Sequence, residues 1–313
     1  MRHLFSLTIL ALVAVSSGSA LAAKDCSVSG QSRHATMAEG ERFSVVVEGN
    51  GPDIILIPGL GTPRAVWAET VDALAGCYTV HSIQLRGFGD DAGVNATGPV
   101  LEPFVRELAD YIDDEIVNNG RKPPVIVGHS MGGLAGLKIA HGYPQLVLRL
   151  IMVDSLPSFA VLIPGMAGAD LDAIEAVAGR MRQQIALSYG KPADPAAIEA
   201  SVKNMTLKQE NLPRMREWSA VADPRVVAQV VYEDIVIDMR PKLGEVTVPV
   251  TVLAAWHAGM PFSESQTASF FERQFAGTPM LKVATIAGSA HFIMLDQPAA
   301  FQAALRAGLG QSD

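Results

Sequence analysis

The stretch Val125-Ile126-Val127-Gly128-His129-Ser130-Met131-Gly132-Gly133 has the pattern of a strand, a tight turn and a helix in direct succession, within a chain of 313 residues. Its β-branched start predicts a buried strand, and the sequence from Met131 onward predicts a helix. Glycines at 128 and 132 leave the room that a sharp turn between the two needs. Such a turn exposes a hydroxyl at the edge of a sheet, so Ser130 is a candidate nucleophile.

On both sides of this unit, short apolar runs alternate with helical stretches, which predicts a mainly parallel sheet with helices on both faces. The predicted strands are residues 42–48, 54–57, 78–85, 125–128, 148–153, 250–256 and 281–286. Between the first two strands, Gly49-Asn50-Gly51-Pro52 predicts a hairpin-like turn. Residues 155–245 are helical, rich in methionine and alanine and interrupted by prolines, which predicts an inserted helical cap. The α/β core then comprises residues 42–154 and 246–313, after an N-terminal tail at 23–41.

The first 22 residues predict a signal peptide. Arg2 and His3 precede an apolar run at 4–15, and Ala20-Leu21-Ala22 fits a cleavage site. The run is shorter than the roughly 20 residues of a membrane-spanning helix, which disfavours the alternative of an uncleaved anchor. We therefore expect a periplasmic or secreted protein, with no stable membrane insertion once the signal is removed.

The composition limits the possible partners. The formal net charge is −8 and no run of Lys and Arg occurs, which disfavours nucleic acid and anionic membranes as ligands. No cluster of His, Cys, Asp and Glu has metal-ligand spacing, and no dinucleotide or phosphate-binding fingerprint is present. A small neutral or apolar substrate, without cofactor or metal, is the expectation; the oligomeric state stays open.

The chain has two cysteines, Cys26 and Cys77, and both lie in the part that would be exported. An even number of cysteines in an oxidising compartment permits one disulfide between the N-terminal tail and the core. The alternative is a buried Cys77 and a disordered tail that carries Cys26.

Two further stretches supply groups that a nucleophilic serine needs. Pro58-Gly59-Leu60-Gly61 follows a predicted strand, and the backbone N–H groups of Leu60 and Met131 would form an oxyanion hole. Gly288-Ser289-Ala290-His291-Phe292 follows the last strand and presents His291 as general base. The remaining histidines fit this role less well: His3 and His34 lie in the terminal segments, His81 in a strand, His129 beside the serine, His141 at a helix end and His257 in a different context.

In the order and spacing of these motifs, the chain resembles the α/β-hydrolase superfamily from Arg42 to Leu309, in particular its capped esterases, lactonases and carbon–carbon bond hydrolases. Besides the stretches already quoted, the resemblance rests on Trp67, Leu85-Arg86-Gly87-Phe88-Gly89 and Val153-Asp154-Ser155. The resemblance implies the fold, the roles of Ser130 and His291, and the oxyanion hole. One departure is Pro58, which occupies a position where the family often has histidine.

The third member of the triad is displaced relative to the family. The resemblance implies an acid after the penultimate strand, but Met260 stands there. Asp154 is the preferred replacement, because some family members carry the acid after the preceding strand, although an aspartate there can also merely cap a turn. Glu264, a carboxylate of the cap such as Asp234 or Asp238, and a dyad without an acid remain alternatives.

Together these features predict an enzyme that cleaves a carboxylic ester or a lactone through an acyl-enzyme on Ser130. An amide or peptide hydrolase and a carbon–carbon bond hydrolase are alternatives within the same fold, and export disfavours the second. Haloalkane and epoxide hydrolases of the superfamily have aspartate as nucleophile. The serine at position 130 therefore disfavours both of these activities. Met260 also motivates an alternative of another class, a non-catalytic binding protein that kept the fold.

Overall fold

The computed structural model describes Cys26 and residues 35–310, so the predicted signal peptide lies outside the described residues. Eight strands of the described chain form one sheet in the order β1-β2-β4-β3-β5-β6-β7-β8. The strands are β1 (Ala35–Glu39), β2 (Phe43–Gly49), β3 (Asp53–Ile57), β4 (Thr79–Leu85), β5 (Val125–His129), β6 (Arg149–Val153), β7 (Val250–Trp256) and β8 (Leu281–Ala287). The six strands from β3 to β8 run parallel, while β1 and β2 are antiparallel to their neighbours. The mainly parallel α/β sheet predicted from the sequence is confirmed.

Helices cover both faces of the sheet. They are α1 (Ala68–Leu74), α2 (Leu101–Ile112), α3 (Met131–Gly142), α4 (Leu171–Ala186), α5 (Pro195–Val202), α6 (Leu212–Val221), α7 (Pro224–Val236), α8 (Glu264–Gln274), α9 (Ile293–Asp296) and α10 (Pro298–Leu309). Between β6 and β7 the chain forms α4 to α7 and short 3-10 turns, in the segment predicted as the cap. Within the described residues, no helix is both long and apolar enough to cross a bilayer.

The central strands are buried on both faces because helices cover each side, so their sequences are almost continuously apolar. Every residue of β3 and of β5 is buried. Ile54 and Leu56 pack with Trp67 on one face of the sheet. Ile55 and Ile57 point to the other face and pack in the cluster that contains α2 and α3. This double-sided packing fixes the direction and register of the strands that carry the site.

Two features of the first strands differ from the sequence prediction. The predicted tail at 23–41 contains β1, which pairs with β2 and was missed because all five of its residues are exposed and give no burial pattern. The turn at 49–52 does not form a hairpin, since β4 lies between β2 and β3. Every residue of β4 is buried, so this strand needs a partner on each side, and burial rather than turn composition decides the pairing.

A disulfide joins Cys26 to Cys77, with their Cα atoms 5.1 Å apart. The same contact includes a backbone hydrogen bond of 2.9 Å, which Gly76 N–H donates to the carbonyl oxygen of Cys26. Cys26 is buried, so the N-terminal segment is attached to the core at this point. Of the two alternatives for the cysteines, the structure contains the disulfide.

We expect the double variant Cys26→Ala/Cys77→Ala to lose about 2 to 4 kcal/mol of free energy of unfolding, because the crosslink restricts the unfolded chain. The cysteines are 51 residues apart, a separation for which this effect is substantial. Urea denaturation of the parent and of the variant measures the difference. A reductant should lower the midpoint of the parent and leave that of the variant unchanged; an equal response of both would contradict the prediction.

Candidate active site

Ser130 lies on the sharp turn between β5 and α3, in a backbone conformation with φ of 53° and ψ of −123°. Positive φ is unfavourable for a serine and persists only where the surroundings enforce it. Here Ser130 N–H donates to the carbonyl oxygen of Val153 at 3.0 Å. The carbonyl oxygen of Ser130 accepts from Gly133 N–H at 2.8 Å and from Ser155 Oγ at 2.7 Å. These bonds hold the turn on both sides.

The glycines of the turn are required by close backbone contacts. A Cβ atom on Gly128 would lie 2.2 Å from the carbonyl oxygen of Gly132. One on Gly132 would lie 2.4 Å from the carbonyl oxygen of Ile57, at the end of β3. Both distances are far below van der Waals contact, so the start of α3 can lie this close to β5 and to β3 only with glycine at these positions.

The loop after β3 lies beside this turn. Leu60 and Ser130 line one cavity of about 290 Å³. Among the described residues, neither Leu60 N–H nor Met131 N–H donates a hydrogen bond to the protein. Met131 is also the first residue of α3, where the helix dipole favours negative charge. The two predicted donors are thus available to an oxygen atom bound near Ser130.

His291 and Asp154 are joined by a hydrogen bond of 2.7 Å between His291 Nδ1 and Asp154 Oδ2. The other carboxylate oxygen of Asp154 accepts from Ala255 N–H at 3.0 Å, and Asp154 N–H donates to the carbonyl oxygen of Leu253 at 2.8 Å. These contacts hold Asp154 at a positive φ of 46°. A carboxylate on Nδ1 selects the tautomer with its lone pair on Nε2, which is the form that can accept a proton.

The side chains of Ser130 and His291 line the same cavity, but no hydrogen bond joins them among the described residues. Catalytic hydrogen bonds are often long without substrate and tighten when it binds. The site thus contains a serine hydroxyl on a tight turn and an imidazole held in one tautomer. It also contains two backbone N–H groups that have no hydrogen-bond partner in the described structure. Such a set can carry out nucleophilic acyl transfer.

The other carboxylates that the sequence offered as the acid of the triad do not bond to His291 in the described structure. Glu264 accepts a hydrogen bond of 2.6 Å from Thr285 Oγ1 at the start of α8, and Asp238 pairs with Arg240. Asp234 is buried in α7, and its Oδ1 has no hydrogen-bond partner in the described part of the chain. Burial, together with the neighbouring Glu233, raises the pKa of Asp234 well above its ordinary value. None of these carboxylates contacts His291 in the described structure.

His129 is a buried neighbour of the predicted base. Its Nε2–H donates to the backbone carbonyl oxygen of His291 at 3.0 Å, and the two rings are 4.5 Å apart. Burial, and secondarily the proximity of His291, lowers the pKa of His129 well below its ordinary value. A lowered pKa favours the neutral imidazole, whose Nε2–H donates this hydrogen bond.

Asp296, which no local sequence pattern indicated as part of the site, links the loop of His291 to the predicted cap. Its buried carboxylate accepts from Ala290 N–H at 2.8 Å and from Leu207 N–H at 3.0 Å. Thr206 Oγ1 donates to it as well, and Phe292 N–H donates to the carbonyl oxygen of Met205 at 3.0 Å. The only local signal was an aspartate shortly before Pro298, which looks like an ordinary helix start. Its partners Thr206 and Leu207 lie about 90 residues away in the sequence.

Several known proteins are similar to this chain in sequence or in fold. A family model described as "Alpha/beta hydrolase family" matches residues 54–304, well over half of the chain. The pimeloyl-(acyl-carrier protein) methyl ester esterase of Vibrio campbellii is 37% identical over 116 residues, which are 37% of this chain and 42% of that protein. An esterase of the same description from Vibrio atlanticus is 29% identical over 215 residues, 65% of this chain and 75% of that protein. The first alignment thus spans less than half the length of the relative.

Solved structures share the fold over most of their length. The enol-lactonase from Burkholderia xenovorans LB400 has a TM-score of 0.66 at 18% identity, covering 86% of this chain and 97% of that one. A thermophilic esterase from Thermogutta terrifontis has a TM-score of 0.69 at 19% identity, covering 90% and 99%. At these identities the likeness establishes the common fold.

We expect His129→Leu to lower kcat about tenfold or more with little change in KM, because the predicted base loses a fixed neighbour. His129→Gln keeps an N–H donor of similar reach and should retain most of the parental kcat. Steady-state kinetics on a p-nitrophenyl ester, with thermal unfolding of both variants, checks this. Equal kcat values in the two variants would show that the hydrogen bond does not position His291.

We expect Asp234→Leu to raise the free energy of unfolding at neutral pH by about 1 to 3 kcal/mol, since it removes a buried unpaired polar group. The pKa of Asp234 is raised in the folded state. Asp234 therefore lowers the free energy of unfolding as the pH rises above the unfolded pKa of about 3.9, because only the unfolded state then releases the proton. Below that pH, the stability gained by Asp234→Leu should be smaller.

Urea unfolding at neutral and acidic pH measures the effect of Asp234→Leu. Asp238→Leu is the matched control, because Asp238 is exposed and paired with Arg240, so no gain is expected there. A gain for Asp234→Leu that does not change with pH would argue against a proton held by Asp234.

Proposed function

Since the chain belongs to the alpha/beta hydrolase family, we propose that it is an exported serine hydrolase that cleaves a carboxylic ester or a lactone. Ser130 is the nucleophile, His291 the general base and Asp154 the carboxylate that orients it. Leu60 and Met131 supply the oxyanion hole. The curated esterase relatives support an ester as the scissile group.

The observation that carries this proposal is the 2.7 Å hydrogen bond between His291 Nδ1 and Asp154 Oδ2. It joins two side chains that are 137 residues apart in the sequence, next to a serine on a glycine-flanked turn. A non-catalytic binding protein would not need an imidazole held in one tautomer. The absence of an acid at Met260 therefore does not count against catalysis.

In the first half-reaction, Ser130 Oγ attacks the carbonyl carbon while its proton moves to His291 Nε2. The negative charge forms on the carbonyl oxygen, which accepts from Leu60 N–H and Met131 N–H. Asp154 stabilises the imidazolium through Nδ1–H. Collapse of the tetrahedral intermediate breaks the ester C–O bond, and His291 Nε2 gives its proton to the departing alcohol oxygen.

In the second half-reaction, His291 takes a proton from water, and the resulting hydroxide attacks the acyl-enzyme. The bond between the acyl carbon and Ser130 Oγ then breaks, and the proton returns to Ser130. The products are a carboxylic acid and an alcohol. Asp154 repeats the same role, because His291 again passes through its charged form.

Export is part of the proposal and rests on the N-terminal sequence. The basic start, apolar run and cleavage pattern of the first 22 residues are typical of a signal peptide. The disulfide between Cys26 and Cys77 supports it, because such bonds persist in oxidising compartments. Sequencing the N-terminus of the mature protein tests this directly.

For the catalytic assignment, we expect Ser130→Ala to abolish both ester hydrolysis and labelling by a fluorophosphonate probe. Asp154→Asn should lower kcat by about 10⁴, because it favours the wrong tautomer of His291. Glu264→Gln is the control and should keep the parental kcat, since Glu264 bonds to Thr285. If Glu264→Gln loses activity while Asp154→Asn retains it, the assignment of the acid is wrong.

A further inference from the structure

Two cavities of different size meet at His291. The smaller has about 290 Å³ and contains Ser130 and Leu60. The larger has about 1000 Å³ and borders Asp154 and the end of β7. Ligand cavities usually have about 300 to 1,000 Å³, so the first holds only a compact group and the second a large one.

The chemistry of ester cleavage assigns the two parts of a substrate to these cavities. The acyl carbon must reach Ser130 Oγ, and its oxygen must reach Leu60 N–H, both of which line the smaller cavity. The alcohol oxygen must receive its proton from His291, which borders both cavities. The acyl group is thereby directed to the smaller cavity and the alcohol part towards the larger one.

The lining of the smaller cavity defines the acyl group. Its walls include Val202, Met215, Trp218 and Val227 from the helices that cover it. None of the described residues that line it is Asp, Glu, Lys or Arg. A charged group there would lose hydration without a partner, so the acyl group is compact and uncharged.

The lining of the larger cavity defines the alcohol part. Four phenylalanines contribute, at positions 159, 262, 270 and 271, together with Met260, which replaces the acid expected in this loop. Phe262 is 59% exposed, so the cavity opens to solvent beside an aromatic side chain. Aromatic walls favour an apolar and preferably aromatic guest.

The segment at Asn204 and Met205 separates the two cavities and is hydrogen-bonded to the core. Asn204 lines the larger cavity and Met205 the smaller one. The carbonyl oxygen of Met205 accepts from Phe292 N–H, and the next residues bond to the carboxylate of Asp296. Because this partition is fixed to the core, a large acyl group cannot expand the smaller cavity on this side without breaking these bonds.

Resting on the function proposed above, we infer that the substrate is an open-chain ester of a compact, uncharged acid with a bulky apolar or aromatic alcohol. The alcohol part occupies the cavity lined by Phe159, Phe262, Phe270, Phe271 and Met260. A lactone, whose acyl and alcohol parts form one ring, would leave most of this cavity unused.

Two isomeric esters test the assignment, naphthylethyl acetate and methyl naphthylpropanoate. Both release a primary alcohol, and they differ in whether the aromatic group belongs to the alcohol or to the acid. We expect kcat/KM to be at least about tenfold higher for naphthylethyl acetate. Equal values, or a preference for methyl naphthylpropanoate, would overturn the inference.

Matched variants link the preference to the cavities. Ser269 lies on α8 and lines the larger cavity, so Ser269→Trp should reduce the preference for naphthylethyl acetate. Glu272→Trp puts the same side chain on the exposed side of that helix and should leave the preference unchanged. Trp218→Ala enlarges the smaller cavity and should raise kcat/KM for methyl naphthylpropanoate. A preference unaffected by both Ser269→Trp and Trp218→Ala would overturn the assignment.

The result also separates this inference from the proposed function. If Ser130 reacts with a fluorophosphonate and both esters are hydrolysed equally, the serine hydrolase assignment holds and the inference on the substrate fails. If Ser130 is not labelled and neither ester is hydrolysed, the proposed function fails and the inference fails with it.

Discussion

The close approach of α3 to the end of β3 is the constraint on which the site depends. A Cβ atom on Gly132 would collide with the carbonyl oxygen of Ile57, so glycine alone permits this contact. Ser130, directly before α3, has a positive φ, and the loop at Leu60 lines the same cavity. The proposed nucleophile and the proposed oxyanion hole therefore lie at the ends of two neighbouring parallel strands, β5 and β3.

The position of the proposed acid affects the role of the loop after β7. With Asp154 at the end of β6, the hydrogen bonds to His291 and to Ala255 N–H hold the acid close to the nucleophile turn. With the proposed acid at Asp154, the loop after β7 has no proposed catalytic role. It contributes Met260 and Phe262 to the larger cavity instead.

Buried carboxylates attach the helices between β6 and β7 to the core. Glu233 on α7 accepts from the backbone N–H groups of Val100 and Leu101 at the start of α2. Asp296 joins the segment at Thr206 and Leu207 to the loop of His291. The N–H groups of Val100 and Leu101 in the first contact and of Ala290 in the second are buried donors, and an unsatisfied buried donor is costly. The smaller cavity consequently has walls fixed at several points.

Local patterns in the sequence determined the elements of the sheet from β2 to β8, the turn at Ser130 and the candidate roles of Ser130, His291 and Leu60, because strand periodicity and glycine requirements are local properties. The sequence favoured Asp154 as the acid but left open Glu264, a carboxylate of the cap such as Asp234 or Asp238, and a dyad without an acid. Only the tertiary structure decided which carboxylate meets His291, that β4 separates β2 from β3, that Cys26 reaches Cys77 and that Asp296 joins two distant loops. Each of these depends on packing between residues far apart in the chain, which no local pattern records.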